Sequence, residues 1–427
     1  MTIAIILAAF VVGWATEGFT LFDVGRYSFP LIYFAAIPFC LRWTNRNTGF
    51  LVLPIASSIF AVSVALIDGI SFSHVLSQTV LQALAIVFAG GVASIDWRKH
   101  LKALTTVVVG VGVPIVVYAA YQMVARMAHL PGAFLPITNK QYYIEGGLQR
   151  DWDKDSITRA SSVFSEPSEL GLFCLWLVAL GLAQKSGKLR NVALILGIAG
   201  ILFSQSLSAV LGALILIAAF IIIHPFSRDT MRQVILGCVA VVAAVALMKP
   251  LVPDAFDRLS QRVDDAIHLD SRADSGRVDH LPAIVNTISE APLWGHGISS
   301  LAAATSTGSD ATTINYAMLL MERGILGATL FLIPWFGFTM RAWLLPDDYP
   351  GRSAALLLMV ATLYSFCSFS LTYFLPFWFA LGITGSVVNS YRSEYDDALA
   401  EEAVLDSGLE PDDGLSPGPP PASGAYV

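Results

Sequence analysis

The chain has 427 residues, of which 55% are hydrophobic and only 13% charged, with a mean hydropathy of +0.66 and a formal net charge of −7. A soluble domain carries roughly twice that share of charge, so a water-soluble enzyme is excluded. Much of the acidic excess lies between Glu394 and Asp413 and gives no ground for a nucleic-acid partner. The apolar residues fall in runs of about 16–24 without period-2 alternation, which excludes an outer-membrane barrel and leaves transmembrane helices.

Apolar spans are expected near 3–16, 28–41, 50–67, 75–94, 103–124, 168–184, 191–205, 207–223, 233–248, 312–340, 353–370 and 373–390. The fold class is therefore an all-α polytopic membrane protein with about twelve transmembrane helices. The first span is short and lacks the basic n-region of a cleaved signal peptide, so it reads as a helix. Orientation follows from lysine and arginine in the short loops. Arg42, Arg46, Arg98, Lys99, Lys102, Lys185, Lys188, Arg190, Arg228, Arg232, Arg341, Arg352 and Arg392 are 13 of the 25 basic residues, and all follow even-numbered spans. The alternate short loops near 68–74, 204–208 and 371 carry none, and the one near 17–27 carries only Arg26. The even-numbered exits are therefore expected to be cytoplasmic, with both termini inside. The polytopic domain covers 1–392, and the acidic, then Pro- and Gly-rich 393–427 is expected to be a disordered tail. Cys40, Cys174, Cys238 and Cys367 all lie in apolar runs and read as buried packing residues.

Two long loops, roughly 125–167 and 249–311, fall on the outer face. Loops of this length in a compact chain are usually functional or disordered, and these contain aromatic and aliphatic residues that let them fold. The first holds Arg150, Asp151, Asp153, Lys154, Asp155 and Arg159, then runs Ser-Ser-Val-Phe-Ser-Glu-Pro-Ser-Glu-Leu-Gly (161–171) into the sixth span. Pro167 suits a first helical turn, Ser165 an N-cap, and Glu166 and Glu169 the positive end of the helix dipole. The two glutamates thus read as capping carboxylates, or Glu166 as a base beside the cationic Arg159. Asp-x-Asp-x-Asp at 151–155 begins like a calcium loop but has Ser156 and Ser162 where Gly and Glu belong. A solvated charge cluster is the better reading, and no metal ligand set is expected.

The second loop holds Arg258, Arg262, Arg272 and Arg277 among seven aspartates. Arg258 and Arg262 read as a solvated helix face. Arg277, in Ser-Gly-Arg (275–277), lies near a helix start because 281–288 is apolar-periodic. Ala-Pro-Leu-Trp-Gly-His-Gly (291–297) reads as a tight turn permitted by its two glycines. His296 between them is exposed to whatever binds that turn, although a lone histidine is more often incidental. The stretch 299–313 is rich in Ser, Thr and Gly and reads as mobile. The tenth span opens with Asn315 and Tyr316 and reaches Met-Glu-Arg-Gly-Ile-Leu-Gly (321–327). Ionisable groups at membrane depth usually face an interior cavity. The plainer reading of Glu322 and Arg323 is an ion pair at the interface. Gly324 and Gly327 allow close helix approach.

Arg159-x-Ser-x-Val-Phe-Ser-Glu-Pro-Ser-Glu-Leu-Gly171, Ser-Gly-Arg277, Pro292-Leu-Trp-Gly-x-Gly297 and Asn315-Tyr-x-Met-x-x-x-Glu-x-Gly-Ile-Leu-Gly327, in this order, resemble the O-antigen polymerase/ligase superfamily over roughly 125–345. The family is similar to C-type glycosyltransferases, multi-helix enzymes that use lipid-linked sugars at the periplasmic face of the bacterial inner membrane. The resemblance implies a saccharide on undecaprenyl pyrophosphate as donor, with Arg159 and Arg277 engaging the pyrophosphate. Glu166, His296 and Glu322 are then candidates for the base, and Arg150, Arg272, Asn315 and Tyr316 for substrate binding. Arginine's fork suits phosphate and charge stabilisation is typically the largest catalytic contribution, so the expected chemistry needs no metal or cofactor. Ligases of the family usually carry a histidine just before the asparagine that opens the tenth span, where this chain has Ile314. That departure favours a polymerase of exopolysaccharide or O-antigen repeats over a ligase, although His296 could replace the missing histidine. A flippase or transporter is the alternative of a different class, but no internal repeat and no polar midplane is visible. The acidic tail could contact a polysaccharide chain-length regulator.

Overall fold

The computed structural model describes residues 49–128, 130, 131, 159–164, 167–185, 187–224, 277–298, 300, 315–367 and 374–406, together with residues 3, 4, 6, 7, 10 and 14 of the first expected span. The expected spans near 28–41 and 233–248, most of both long loops and residues 407–427 lie outside the described residues.

The described residues are helical, with no strand among them. The helices are α1 (Val52–Ile67), α2 (Phe72–Ala93), α3 (Leu101–Met127), α4 (Pro167–Ala183), α5 (Lys188–Ser204), α6 (Leu207–Ile223), α7 (Arg277–Glu290), α8 (Asn315–Trp343), α9 (Arg352–Ser365) and α10 (Leu375–Asp406). Gly49–Ile67, Leu101–Arg126 and Tyr316–Trp343 are long and apolar enough to cross a membrane, and Gln78–Ala93, Pro167–Ala183, Leu207–Ile223 and Arg352–Ser365 are shorter apolar helices. This is the architecture of a helical membrane protein.

α4 is apolar on every side, which places it inside other helices rather than on a surface. Every residue from Glu169 to Gly181 is buried, and α3, α5, α6 and α9 pack around it. α1 packs on α8, and α2 on α10. Lipid supplies no hydrophobic drive between helices, so close contact must come from small residues and shape. A Cβ on Gly171 would lie 2.5 Å from the Ala209 Cβ of α6, and one on Gly200 of α5 would lie 2.2 Å from the Cys174 Sγ. Cys174 is thus a packing residue, as expected. Cys367, expected to be buried too, is exposed just after α9.

An aromatic centre joins the elements. Phe10 stacks on Phe379 of α10 at 4.0 Å, and Trp14 meets Phe173 and Trp176 of α4 edge-on at 5.1 and 5.4 Å. The first span, the weakest in the sequence, is therefore seated in the core by these two side chains.

One end of the bundle is closed by charge. Arg98 donates to both carboxylate oxygens of Asp96 (2.7 and 2.9 Å), to the Tyr349 hydroxyl (2.7 Å) and to Glu394. His224 and Ser353 meet at 3.0 Å nearby in the chain's connections. The Arg98 hydrogen bond holds the Asp96 carboxyl below its usual range, and burial pushes the Tyr349 hydroxyl up to about 12. These contacts gather the segments that follow α2 and α8 and the C-terminal part of α10. α10 continues through Asp406, so residues 393–406, expected to be disordered, are helical. At 1.5 Å per residue its 32 residues span about 48 Å, beyond the ~30 Å hydrocarbon core. The tract Ala398–Glu402 consists of strong helix formers, and the Glu394–Arg98 pair anchors its base.

Gly171→Ala should destabilise the protein by about 1–3 kcal/mol through overpacking, read as a lower thermal midpoint in detergent. Adding Ala209→Gly should restore much of the loss, because the clash is between these two Cβ positions.

Candidate active site

α8 is two helices joined at Gly324, whose φ of 59° and ψ of −174° interrupt it. In an unbroken helix the Ile325 and Leu326 amides would bond the Met321 and Glu322 carbonyls. All four groups are taken instead by the 292–297 turn. The His296 and Gly297 amides donate to the Met321 and Glu322 carbonyls, both at 2.8 Å. The Ile325 and Leu326 amides donate to the Pro292 and Leu293 carbonyls, at 2.8 and 3.3 Å. Two helical bonds are exchanged for four tertiary ones, so the break leaves these groups satisfied, as an apolar surrounding demands. The contact requires glycine on both sides. A Cβ on Gly295 would lie 2.4 Å from the Gly324 nitrogen, and one on Gly324 would lie 2.3 Å from the Leu293 carbonyl carbon. The Ile298 amide donates to the Ala61 carbonyl at 3.1 Å, which seats the turn on α1 as well.

Arg323, beside the break, is fully buried. Its Nη1 donates to Ser57 Oγ (2.8 Å) and its Nη2 to Gln82 Oε1 (2.7 Å), with the guanidinium 4.8 Å from the Phe331 ring centroid. Ser57 Oγ donates in turn to the Gly327 carbonyl at 2.7 Å. The guanidinium is thus an internal strut between α1, α2 and both halves of α8. Glu322 is buried at 4% exposure.

His296 is half-buried, its Nε2 2.9 Å from the Thr287 carbonyl of α7. A carbonyl only accepts, so Nε2 is the donor here, and in the neutral ring Nδ1 is then the accepting nitrogen. A ring oriented through one nitrogen in this way has the arrangement a general base uses.

Arg159 opens a second cluster. Residues 159–164 are not helical, yet Ala160, Ser161, Ser162 and Phe164 are buried. Arg159 Nε donates to the Ser204 carbonyl at 3.4 Å, at the C-terminus of α5, where a cation meets the negative end of the helix dipole. Arg126 of α3 donates to the Arg159 carbonyl. The end of α9 meets both the start of α8 and the 204–208 turn. The Tyr364 hydroxyl donates to the Ser208 carbonyl (2.6 Å), and the Tyr316 hydroxyl to the neighbouring Leu363 carbonyl (3.0 Å).

The sequence candidates therefore divide. The backbones of His296 and Glu322 come together at the break of α8, Tyr316 ties α8 to α9, and Arg159 stands with Arg126 and the 204–208 turn. Arg277 is the first residue of α7, roughly 15 Å along that helix from Thr287 at 1.5 Å per residue. Asn315 begins α8. Arg150, Glu166, Arg272 and the aspartates of 151–155 lie outside the described residues. Among the described residues no group of three or more His, Cys, Asp or Glu could hold a metal. The sequence reading missed Gln82, Gln122 and Arg126. A polar residue inside an apolar span was the available signal for each.

Fold and site together define a helical membrane protein with buried polar groups at two departures from helix. Residues 192–332, about a third of the chain, match the family described as O-antigen ligase. The match supports a likeness of this segment to the O-antigen polymerase/ligase superfamily, and with it a polysaccharide polymerase- or ligase-type role. The match includes the 292–297 turn and the break at Gly324, while Arg159 lies upstream of it. No curated protein and no solved structure matches the chain.

Gly295→Ala and Gly324→Ala should each destabilise by ~2 kcal/mol or more, since a positive φ alone costs about 1–3 kcal/mol and overlap with fixed backbone adds to it. Gly337→Ala, in the same helix with open space around its Cβ, should be neutral or slightly stabilising. Thermal midpoints of the three purified variants make the comparison.

Proposed function

We propose that the protein is a polysaccharide polymerase of the bacterial inner membrane. It transfers a growing glycan from undecaprenyl pyrophosphate to a lipid-linked repeat unit at the periplasmic face. The observation that carries this reading is the reciprocal docking of the 292–297 turn into the break of α8, inside the matched domain. It joins two separate motifs into one rigid unit bearing His296 and Glu322.

In the proposed reaction the acceptor hydroxyl attacks the anomeric carbon, the bond from that carbon to the pyrophosphate oxygen breaks, and the hydroxyl proton passes to a base. Nδ1 of His296 is the described group best oriented for that proton, with Glu322 and Glu166 the other candidates. The leaving pyrophosphate gains negative charge, which Arg159 and Arg277 stabilise through bidentate donors. Arg150, Arg272, Asn315 and Tyr316 would line the path of the glycan. The full topology has about twelve spans, both termini in the cytoplasm and loops 125–167 and 249–311 in the periplasm, and the reaction requires no metal. The cytoplasmic end of α10 would be available to a chain-length regulator.

A ligase that hands finished polymer to a lipid or protein acceptor is the second reading. The oriented His296 favours it, because this ring could serve where Ile314 replaces the usual histidine.

Arg159→Ala and Arg277→Ala should abolish polymer at unchanged membrane abundance, while Lys at either position should restore only part of it, because the fork is lost. A gel of surface and carrier-linked glycans from a deletion strain separates the readings. Single repeats accumulating on the carrier support the polymerase, and full-length polymer stranded on the carrier supports the ligase. Repeats held on the cytoplasmic leaflet would point to a flippase and overturn both.

A further inference from the structure

We propose that Gln122 and Arg126 of α3 are positioning residues that act through Arg159. The proposal rests on the reading of Arg159 as a pyrophosphate ligand and adds the device that aims it. Segment 159–164 runs non-helically through the buried part of the bundle, where backbone groups need protein partners. α3 supplies them from one face, since Ile115, Gln122 and Arg126 are spaced two turns and one turn apart.

Gln122 is fully buried. Its Oε1 accepts the Ser161 and Ser162 amides at 3.2 and 2.6 Å, and its Nε2 donates to the Ser162 carbonyl at 3.3 Å. One primary amide therefore acts as a strand partner for a segment that has no strand beside it. Ser162 adopts a left-handed φ of 54°, uncommon for a residue with a Cβ, and its Oγ donates to the Ile115 carbonyl at 2.7 Å. One turn further on, Arg126, 5% exposed, donates to the carbonyl of Arg159 itself. From the other side the Ala160 amide donates to the Phe203 carbonyl at 3.0 Å, and Arg159 Nε reaches the Ser204 carbonyl. The backbone of 159–162 is thus clamped between α3 and the C-terminus of α5, which fixes where the Arg159 side chain starts and which way it leaves. A reacting group misplaced by about 1 Å can lose on the order of a hundredfold in rate.

The chemistry at the two arginines differs, and the test uses that difference. Arg126 serves one carbonyl, so a point donor suffices, whereas the role of Arg159 needs the fork. The variants Gln122→Leu, Arg126→Met, Arg126→Lys, Arg159→Ala and Arg159→Lys would be purified as full chains in detergent. Each would be assayed with carrier-linked glycan extracted from the deletion strain, beside its thermal midpoint.

The expected result is a loss of at least about tenfold in turnover for Arg126→Met and Gln122→Leu, with near-normal turnover for Arg126→Lys and thermal midpoints close to the parent. On an Arg159→Lys background the losses should shrink, because residues that act as a unit are not additive. Normal turnover in Gln122→Leu and Arg126→Met, with Arg159→Ala inactive, would overturn the proposal and leave the function reading intact. Losses that track a falling thermal midpoint, or that multiply fully on the Arg159→Lys background, would assign the two residues to folding alone and overturn it equally. Full activity in Arg159→Ala would instead remove the reading on which the proposal rests. If Gln122→Leu fails to accumulate, the Arg126→Met and Arg126→Lys pair decides the question.

Discussion

In hydrocarbon, a backbone amide or carbonyl outside a helix must find its partner within the protein, at a cost of several kcal/mol if it does not. That constraint organises the structure. Among the described residues the chain departs from helix inside the bundle at residues 159–164 and at Gly324, and at both places another part of the chain supplies the missing bonds. At Gly324 the partner is a backbone turn, so the recognition is amide to carbonyl and the side chains adjust to it through the absence of Cβ atoms. At 159–164 the partner is a side chain, Gln122, whose amide imitates a peptide group. Among the described candidates, His296, Glu322 and Arg159 lie at these same two departures. A helix turns its side chains outward at fixed angles, whereas a break can aim a group and hold it there.

Buried charge follows the same logic. Burying a guanidinium is costly unless its donors are satisfied. Arg323 offsets part of this cost with two neutral acceptors on its Nη atoms and an aromatic face, while its Nε finds no hydrogen-bond partner among the described residues. The neutral acceptors couple it to α1 and α2, so the break in α8 is braced on the side opposite the turn. His296 is held through Thr287 of α7, which makes the position of its ring depend on the helix that begins at Arg277. The geometry of one candidate base is therefore linked to the element carrying one candidate cation.

Much of the helical scaffold was legible in the sequence, because a span needs only composition and length to be recognised. The placement of α4 at the centre follows from its apolar surface on all sides. The glycines of 291–297 and 321–327 announced a tight turn and a close approach, but not that each was the other's partner. Such pairing depends on which amides are left over at a break, and no periodicity encodes it. Gln122 and Arg126 were hidden for a related reason, since a polar residue in an apolar span shows only that something needs it. The neutral partners of Arg323, Ser57 and Gln82, were not legible because they lie more than 200 positions away. The C-terminal tract misled in the opposite direction. Its acidic composition suggested disorder, but alanine, leucine and glutamate are strong helix formers, and Arg98 fixes the first turn beyond the bundle.

The break at Gly324 also bears on how an anionic leaving group can be met. A new helix N-terminus inside a membrane protein is a ready anion site, used by transporters at their discontinuous helices. Here the amides of Ile325 and Leu326, which would form that site, are spent on the Pro292 and Leu293 carbonyls. The carbonyls of Met321 and Glu322, which would draw a cation to the other half-helix, are spent on the His296 and Gly297 amides. The break is therefore electrically closed along its backbone and serves as a joint rather than a binding site. In the proposed reaction a pyrophosphate would have to be held by side chains, and guanidinium groups would provide the charge and the paired donors that the backbone has already committed elsewhere.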